Sequence, residues 1–377
     1  MDYLTTTFNS DGSPLFKSSS FSIWPIQFVI NEMPFDVRIA RPMVSGLWFR
    51  RHKPDMNVFL KPFVSYMNRL PEVGVPCIVE NVERQIKIYT KCCVVDAVAR
   101  PLMQGLSQFT GYFGCSWCLH LGTYVKSGKK GCVKYTLQEE PSYLRNKLDT
   151  IELMQQCVTT NISGKQSIFG VKRPTCLINL NEFDFIKDTV VDSMHACDRG
   201  VAEQMLRYWS NNLFSKEEME RISEVMLKLK VPNQISRLSR SLKDRSNWKA
   251  REWCNWILYY SLPILQMFPH LEAYAVHWSV FVNAYHILLQ NSITRSEIEV
   301  AHNLLKEFVF RTDILYSKAD MTHYVHQLKH LAQSVLDYGP LWAHTGYVFE
   351  SGNGYLVRKV KAANGVLQQV CRSISMR

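Results

Sequence analysis

The sequence lacks the features that mark membrane-spanning, secreted and disordered proteins. No run of about 18 or more apolar residues is present, so we expect no membrane span. The N-terminus, MDYLTTTFNSDG, has no basic segment followed by an apolar one, which a signal peptide requires. There are neither internal repeats nor low-complexity tracts. These absences predict a folded protein of an intracellular, reducing compartment.

Positive charge is in excess. The 377 residues include 44 lysines and arginines against 33 aspartates and glutamates, a formal charge of +11, which favours a polyanionic partner such as nucleic acid. The length predicts two domains, or one domain with a large insertion. The 11 cysteines are odd in number and irregularly spaced. We therefore expect free thiols, and we regard a closely spaced pair as a metal candidate.

The N-terminal third of the chain carries strand patterns and helix patterns in turn. Residues 3–8, 21–30 and 43–49 predict strands, residues 57–70 a helix, residues 84–96 a strand with a buried end, and residues 97–106 a short helix. Pro62 weakens the first helix unless it lies in the first turn. This order predicts an α/β fold, in which a mixed sheet has helices on its faces.

The rest of the chain is predominantly helical in pattern. Apolar residues recur at i, i+3 and i+4 over residues 201–209, 217–229, 248–262, 271–289, 297–314 and 323–336. Residues 124–167 have the weakest pattern and predict a surface loop. We therefore divide the chain into a sheet core (1–120), a loop-rich connection (121–190), a helical insertion (191–340) and a C-terminal helical region (341–377).

Three acidic residues lie at the ends of predicted elements. Asp11 follows the first strand, Asp96 ends the fourth, and Glu350 comes just after the helical region. If they converge, their carboxylates would suit Mg²⁺ and metal-dependent phosphodiester cleavage. The alternative is that Asp11 is a turn residue, Asp96 a helix N-cap and Glu350 a surface acid. From spacing alone this alternative is the stronger, because such turns and caps are common.

A second set of residues has the spacing of zinc ligands. Cys115 and Cys118 form C-x-x-C, and His326 and His330 stand one helical turn apart. Two thiolates and two imidazoles suit a closed tetrahedral zinc, which would tie the sheet to the far end of the helical region. The alternative is a pair of buried thiols and a polar helix face. Three nearby residues are competing ligands: His120, Cys132 and His323.

Six segments, in order, resemble the transposase of CACTA (En/Spm-type) DNA transposons. They are FNSDGSPLFKSSSFSIWPI (8–26), GLWFRRHKPDMNVFLKPFV (46–64), VVDAVARPLMQGLSQFTGYFGCSWC (94–118), DSMHACDRGV (192–201), WKAREWCNWILYY (248–260) and FESGNGYL (349–356). That family is similar to the catalytic core of the recombinase that assembles antigen-receptor genes. The resemblance spans nearly the whole chain. It implies a ribonuclease-H-like mixed sheet with a large all-helical insertion before the last catalytic acid.

The resemblance also implies roles for particular residues. It makes Asp11, Asp96 and Glu350 a DDE triad for Mg²⁺ or Mn²⁺, with the first two at or between two ions and Glu350 at the second. It makes Cys115, Cys118, His326 and His330 the ligands of a structural zinc. His195 would lie near the scissile phosphate, with a capping or core histidine as the alternative. Lys17 and Lys249 would contact DNA, with ordinary solvated lysines as the alternative.

The implied reaction is hydrolysis at a transposon end, followed by attack of the freed 3′-hydroxyl on target DNA. Transposon ends and target DNA would be the partners, in the nucleus, with a homodimer as one arrangement. The alternatives are an inactive, domesticated or truncated transposase-derived scaffold that binds DNA, and a nuclease without strand transfer. Only ten residues precede Asp11 and 27 follow Glu350, so we expect a minimal copy without the usual end-binding region. Gly352 and Gly354 predict an irregular helix at Glu350.

Overall fold

The computed structural model describes residues 3–16, 20–40, 42–127, 130–164, 166–233, 235 and 237–375. The chain divides into two compact units, which we call the sheet unit and the helical unit. The sheet unit comprises Met1–Leu121, Pro141–Val190 and His344–Arg377, and the helical unit comprises Gly122–Glu140 and Val191–Ala343. Three separate stretches of sequence therefore build the sheet unit.

Nine strands are present in the described ranges. They are β1 (Tyr3–Ser10), β2 (Ser13–Pro14), β3 (Ser22–Ile30), β4 (Met43–Arg50), β5 (Val75–Val79), β6 (Val82–Val94), β7 (Thr123–Ser127), β8 (Lys130–Lys134) and β9 (Thr189–Val190). Strands β7 and β8 form a hairpin, and the other seven form one mixed sheet. In that sheet β3 pairs antiparallel with β1, β2 and β4, and β6 pairs parallel with β1 and β9 and antiparallel with β5.

Helices supply most of the remaining regular structure. They are α1 (Phe35–Ala40), α2 (Met56–Val73), α3 (Ala99–Gln104), α4 (Lys147–Thr159), α5 (Glu203–Asn212), α6 (Lys216–Lys228), α7 (Ala250–Asn255), α8 (Ser261–Gln266), α9 (Glu272–Leu288), α10 (Arg295–Leu315), α11 (His323–Tyr338), α12 (Tyr347–Lys359) and α13 (Val366–Ser375). A π-helical stretch, Met194–Ala202, leads directly into α5. Within the described residues, no helix combines the length and apolar character that crossing a bilayer demands.

The sheet has an apolar core on each face. On one face, Phe8 packs with Phe63 and Met67 of α2 and with Met103 of α3. On the other face, a smaller cluster joins Ile23 of β3 to α12 and α13. The architecture is therefore α/β, with helices on both faces of a mixed sheet, as the sequence predicts.

Three local predictions differ from the structure. The segment 124–167, predicted as a loop, contains the β7–β8 hairpin and α4. Pro62 lies well inside α2, where the buried stripe of Met56, Leu60, Phe63 and Met67 outweighs the hydrogen bond that proline cannot donate. The helix at Glu350 is continuous from Tyr347 to Lys359 despite its two glycines.

Close packing against the sheet explains one of these glycines. A Cβ atom added to Gly352 would overlap Oε1 of the buried Gln27 side chain and would lie 2.9 Å from Cγ of Pro42. At Gly354 the nearest atom to an added Cβ is Nη1 of Arg358, at 3.4 Å. Only a residue without a side chain lets α12 lie this close to β3 at position 352, whereas position 354 has room for alanine.

We therefore expect opposite effects from the same substitution in α12. Gly352→Ala should lower the free energy of unfolding by about 1–3 kcal/mol, because Gln27 must move. Gly354→Ala should raise it by up to about 1 kcal/mol, because alanine favours a helix. Urea unfolding of the two variants measures this difference. Equal stabilisation by both would contradict the close approach at Gly352.

The helical unit contains a buried polar network around His277 of α9. Nε2 of His277 is 3.0 Å from the carbonyl oxygen of Phe308, and the two rings stack with centroids 4.3 Å apart. Tyr316 lies on the other side, with its hydroxyl 3.4 Å from Nδ1 and accepting a hydrogen bond from Trp209. Burial lowers the pKa of His277 to about 4, although the bond to Phe308 opposes this shift. The imidazole is therefore neutral at pH 7.

This shift predicts a pH-dependent stability. The folded-state pKa lies below the ordinary value of 6.5, so the unfolded state binds more protons between these values, and stability falls as the pH falls. From pH 7 to pH 5 the contribution of His277 is a loss of about 2 kcal/mol. His277→Gln should remove this part of the loss in urea unfolding. His286→Gln, on the exposed side of α9, is the control, and an equal pH dependence of all three proteins would refute the prediction.

Candidate metal centres

The Cys115–Cys118 turn lies in the sheet unit and is almost completely buried. Cys115 is 0% and Cys118 2% exposed. The backbone N–H of Trp117 donates to Sγ of Cys115 at 3.4 Å, and Nε of Arg145 donates to the carbonyl oxygen of Cys115 at 2.9 Å. An N–H donor to sulfur stabilises a thiolate, so the local structure suits a metal ligand.

The His326–His330 pair lies on α11 in the helical unit. The helix begins after Thr322, whose hydroxyl accepts from the backbone N–H of Val325. The two imidazole rings have centroids 5.4 Å apart, as expected for side chains one turn apart. The ring of His326 also stacks on Tyr135, with centroids 4.6 Å apart, and this contact orients it.

The ligand atoms of Cys115, Cys118, His326 and His330 all lie within 4.8 Å of one another and are buried. Tetrahedral zinc, with ligands at about 2.0–2.3 Å, places them about 3.5 Å apart, so small side-chain movements would complete the site. This Cys2His2 cluster could hold a structural metal such as zinc. Within the described ranges no other such cluster was found, and the three competing ligands, His120, Cys132 and His323, are not part of it.

Asp11 and Asp96 follow the ends of neighbouring parallel strands. Phe8 of β1 pairs with Cys93 of β6, and Asp11 and Asp96 each lie three residues further along the chain. Nδ2 of Asn9 donates to the carbonyl oxygen of Val94 at 2.6 Å, so the strands are still in contact just before the two acids. Adjacent strands lie about 4.8 Å apart. Both aspartates therefore follow the ends of paired, adjacent strands.

Glu350 belongs to α12, which packs on the face of the sheet opposite the α2 core. Phe8 faces the α2 core, so Asn9, the next residue of β1, faces the opposite side of the sheet. Gln27, which pairs with Asn9, donates from Nε2 to Oδ1 of Asn353 at 2.8 Å and to the carbonyl oxygen of Phe349 at 3.2 Å. Glu350 is the next residue of α12 and is exposed. All three acids belong to the sheet unit, but they are not among the described groups of three or more ligand residues whose ligand atoms lie close enough together to hold one metal ion.

The local roles considered as alternatives for the aspartates are also present. Oδ1 of Asp96 accepts hydrogen bonds from the backbone N–H groups of Val98 (2.9 Å) and Ala99, which caps α3. The backbone N–H of Gly12 donates to Oδ1 of Asp11 at 2.6 Å. Capping therefore occupies one oxygen of Asp96, and the other accepts no hydrogen bond from the described residues.

Asn9, two residues before Asp11, is a candidate ligand that the sequence did not single out. Its side chain is 5% exposed, and its Oδ1 accepts no hydrogen bond from the described residues. The bond from Nδ2 to Val94 fixes the orientation of the amide. An oriented, buried oxygen two residues before Asp11 fits the oxygen-rich surroundings that Mg²⁺ requires. Its position could not be found by spacing, because asparagine in a strand carries no motif.

Three further residues are predicted to lie near the DNA: His195, Lys249 and Lys17. In the helical unit, Nδ1 of His195 is 2.6 Å from Oδ2 of the buried Asp192, a partner that the sequence did not predict. The side chain of Lys249 is exposed at the start of α7, and its backbone N–H donates to Glu252 at 2.7 Å. Lys17 lies outside the described residues.

Two comparisons with known proteins gave no relative of this chain. A scan against models of protein families found no match, and neither did a search of curated proteins. The two candidate centres, one built from carboxylates and one from thiols and imidazoles, are therefore the basis on which a function is assigned.

Proposed function

We propose that this chain is the catalytic domain of a DDE-type DNA transposase of the CACTA kind. The observation that supports the proposal best is the register of β1 and β6. The two strands pair in parallel up to Phe8 and Cys93, so Asp11 and Asp96 follow the ends of neighbouring strands, and α12, which carries Glu350, accepts hydrogen bonds from Gln27 of β3. Catalytic divalent cations are commonly held by carboxylates from distant parts of a sequence, and the proposal requires that Asp11, Asp96 and Glu350 do so here.

The proposal includes a ribonuclease-H-like core. Its support is the order of the sheet, in which the antiparallel strands β4, β3 and β1 are followed by the parallel strands β6 and β9. A further support is the long helical stretch of sequence between β9 and α12, before Glu350. Both features agree with the fold that the sequence resemblance implies.

In this proposal each residue has a defined task. Bound Mg²⁺ supplies charge neutralisation at the scissile phosphate and lowers the pKa of water. Asp11 and Asp96 provide ligand oxygens from fixed strand ends, Glu350 provides one from α12, and Asn9 adds a neutral oxygen beside them. The excess positive charge of the chain supports binding to the DNA backbone, which is independent of sequence.

The Cys2His2 cluster has a structural task in this proposal. All four of its groups would be ligands, so no position is open for water or substrate, which is typical of structural rather than catalytic zinc. Nuclear localisation and a homodimer that holds two transposon ends remain predictions that follow from this function.

Incubation of the purified chain with labelled duplex DNA tests the proposal. We expect nicks when Mg²⁺ is present and none in EDTA, together with joined products when a target duplex is added. Nicks without joined products would favour the nuclease alternative. DNA binding of equal strength with and without Mg²⁺, and no nicks, would favour the inactive scaffold and overturn the assignment.

A further inference from the structure

The side chain of Trp117 connects the Cys115–Cys118 turn to the sheet within the sheet unit. Trp117 lies between the two cysteines and is 8% exposed. Its indole Nε1 donates to the carbonyl oxygen of Thr189 in β9 at 3.0 Å. The turn itself is held from the other side by Arg145, which donates to the carbonyl oxygens of Cys115 and Phe113. A displacement of the turn would therefore be transmitted to β9.

Arg100 continues this connection to the strand ends. Its guanidinium lies 4.2 Å from the centroid of the Trp117 ring and is almost completely buried. Nη2 donates to the carbonyl oxygen of Val95 at 2.8 Å and to that of Val190 at 3.4 Å. These carbonyls lie at the ends of β6 and β9. A buried cation needs such partners, and here they come from the indole face and from both strand ends.

Asp96 is the proposed metal ligand that lies next to these contacts in the chain. It follows Val95 directly, and its carbonyl oxygen accepts from the backbone N–H of Arg100 at 3.1 Å. Its Oδ1 is fixed by the first turn of the same helix, α3. Arg100 thus bonds to Val95, the residue before Asp96, and is itself part of α3, the helix after Asp96. The ring of Trp117 packs against the guanidinium of Arg100.

We propose that Trp117 and Arg100 are positioning residues. Through their contacts, an ordered Cys115–Cys118 turn holds the carboxylate of Asp96 in a fixed position. The proposal rests on the proposed function in one respect, namely that Asp96 binds a divalent cation. Neither residue contacts that cation. Their effect is on how firmly Asp96 is held, and residues that orient metal ligands commonly change metal affinity by an order of magnitude.

Trp117→Phe tests the first contact, because it keeps an aromatic ring beside Arg100 and removes the N–H that bonds to Thr189. We expect the affinity for Mn²⁺, measured by calorimetry on the full chain with its zinc content verified, to fall by about tenfold. Arg100→Lys keeps the positive charge but removes the planar guanidinium, which bonds to the carbonyl oxygens of Val95 and Val190. It should lower the affinity for Mn²⁺ by a similar factor. Asp96→Asn shows how far the affinity for Mn²⁺ falls when the ligand itself is lost.

The matched control is Trp48→Phe in the same unit. Nε1 of Trp48 donates to the carbonyl oxygen of His52 at 3.2 Å, so this variant loses the same kind of bond far from Asp96 in the sheet order. We expect it to bind Mn²⁺ as the wild-type protein does. Equal weakening by Trp48→Phe and Trp117→Phe would show a general loss of stability and would overturn the proposal.

Hydrogen exchange provides a measurement that does not depend on the cation. The amides of Val98 and Ala99 bond to Oδ1 of Asp96, so their exchange should be faster in Trp117→Phe than in Trp48→Phe. Unchanged exchange would overturn the positioning role. If the wild-type protein binds no Mn²⁺ while exchange responds as expected, the positioning of Asp96 stands and the proposed function fails.

Discussion

Substitution of Asp96 by asparagine is expected to abolish Mg²⁺-dependent nicking of DNA in a protein that remains folded. An amide oxygen carries no charge, so it binds a divalent cation much more weakly than a carboxylate does. Loss of one preorganised electrostatic group slows catalysis by about 10²- to 10³-fold, and we expect a loss at least as large here. The measurement is the initial rate of nicking of a labelled duplex at a fixed Mg²⁺ concentration.

Folding should survive because asparagine keeps the capping role of Asp96. Asparagine and aspartate cap helices about equally well, so the bonds from Val98 and Ala99 can remain. Asp55→Asn is the matched control, since Oδ1 of Asp55 accepts from the backbone N–H of Asn57 at the start of α2. We expect this variant to nick DNA at the wild-type rate. Wild-type activity of Asp96→Asn would remove Asp96 from the triad.

Loss of the buried Cys2His2 cluster is expected to have the largest effect on stability. Cys115→Ser replaces one thiolate, so the protein should lose about one zinc ion per chain in metal analysis. A metal present at a thousandfold excess over its Kd stabilises the folded state by about 4 kcal/mol. We expect the free energy of unfolding, measured with urea in a zinc-buffered solution, to fall by about this amount.

Cys132→Ser is the control for the zinc prediction. Cys132 lies on β8, is only half-buried and is not part of the cluster. Its substitution should change the free energy of unfolding by less than about 1 kcal/mol and leave the zinc content unaltered. If purified wild-type protein contains no zinc and Cys115→Ser is as stable as Cys132→Ser, the cluster is a group of buried thiols and imidazoles without a metal.

The predictable part of the fold is the part with strong local patterns. The strands that became β1, β3, β4 and β6 and the long helix α2 follow from alternation and helical spacing. The pairs Cys115–Cys118 and His326–His330 were identified from ligand spacing, because the number of intervening residues fixes whether two side chains can face one ion. The family resemblance implied that the two pairs form one site, and the structure brings their ligand atoms within 4.8 Å of one another.

Features that depend on distant residues could not be predicted in this way. Strand β9 has only two residues and exists because β6 offers it a parallel partner. Considered alone, Gly352 predicts an irregular helix. In the fold, its lack of a side chain leaves space for the side chain of Gln27. The stacking of Arg100 on Trp117 involves no motif at all. In each case the deciding contact comes from a part of the chain that local patterns do not include.

The hydrogen bond between Gln27 and Asn353 joins residues that are 326 positions apart in the sequence. During synthesis, the helix that carries Glu350 leaves the ribosome long after the strand on which it packs. Such distant contacts form slowly, since a long loop must close before they are gained. On the proposed function, therefore, no cutting of DNA can begin before the segment that carries Glu350 has been synthesised and has packed on β3.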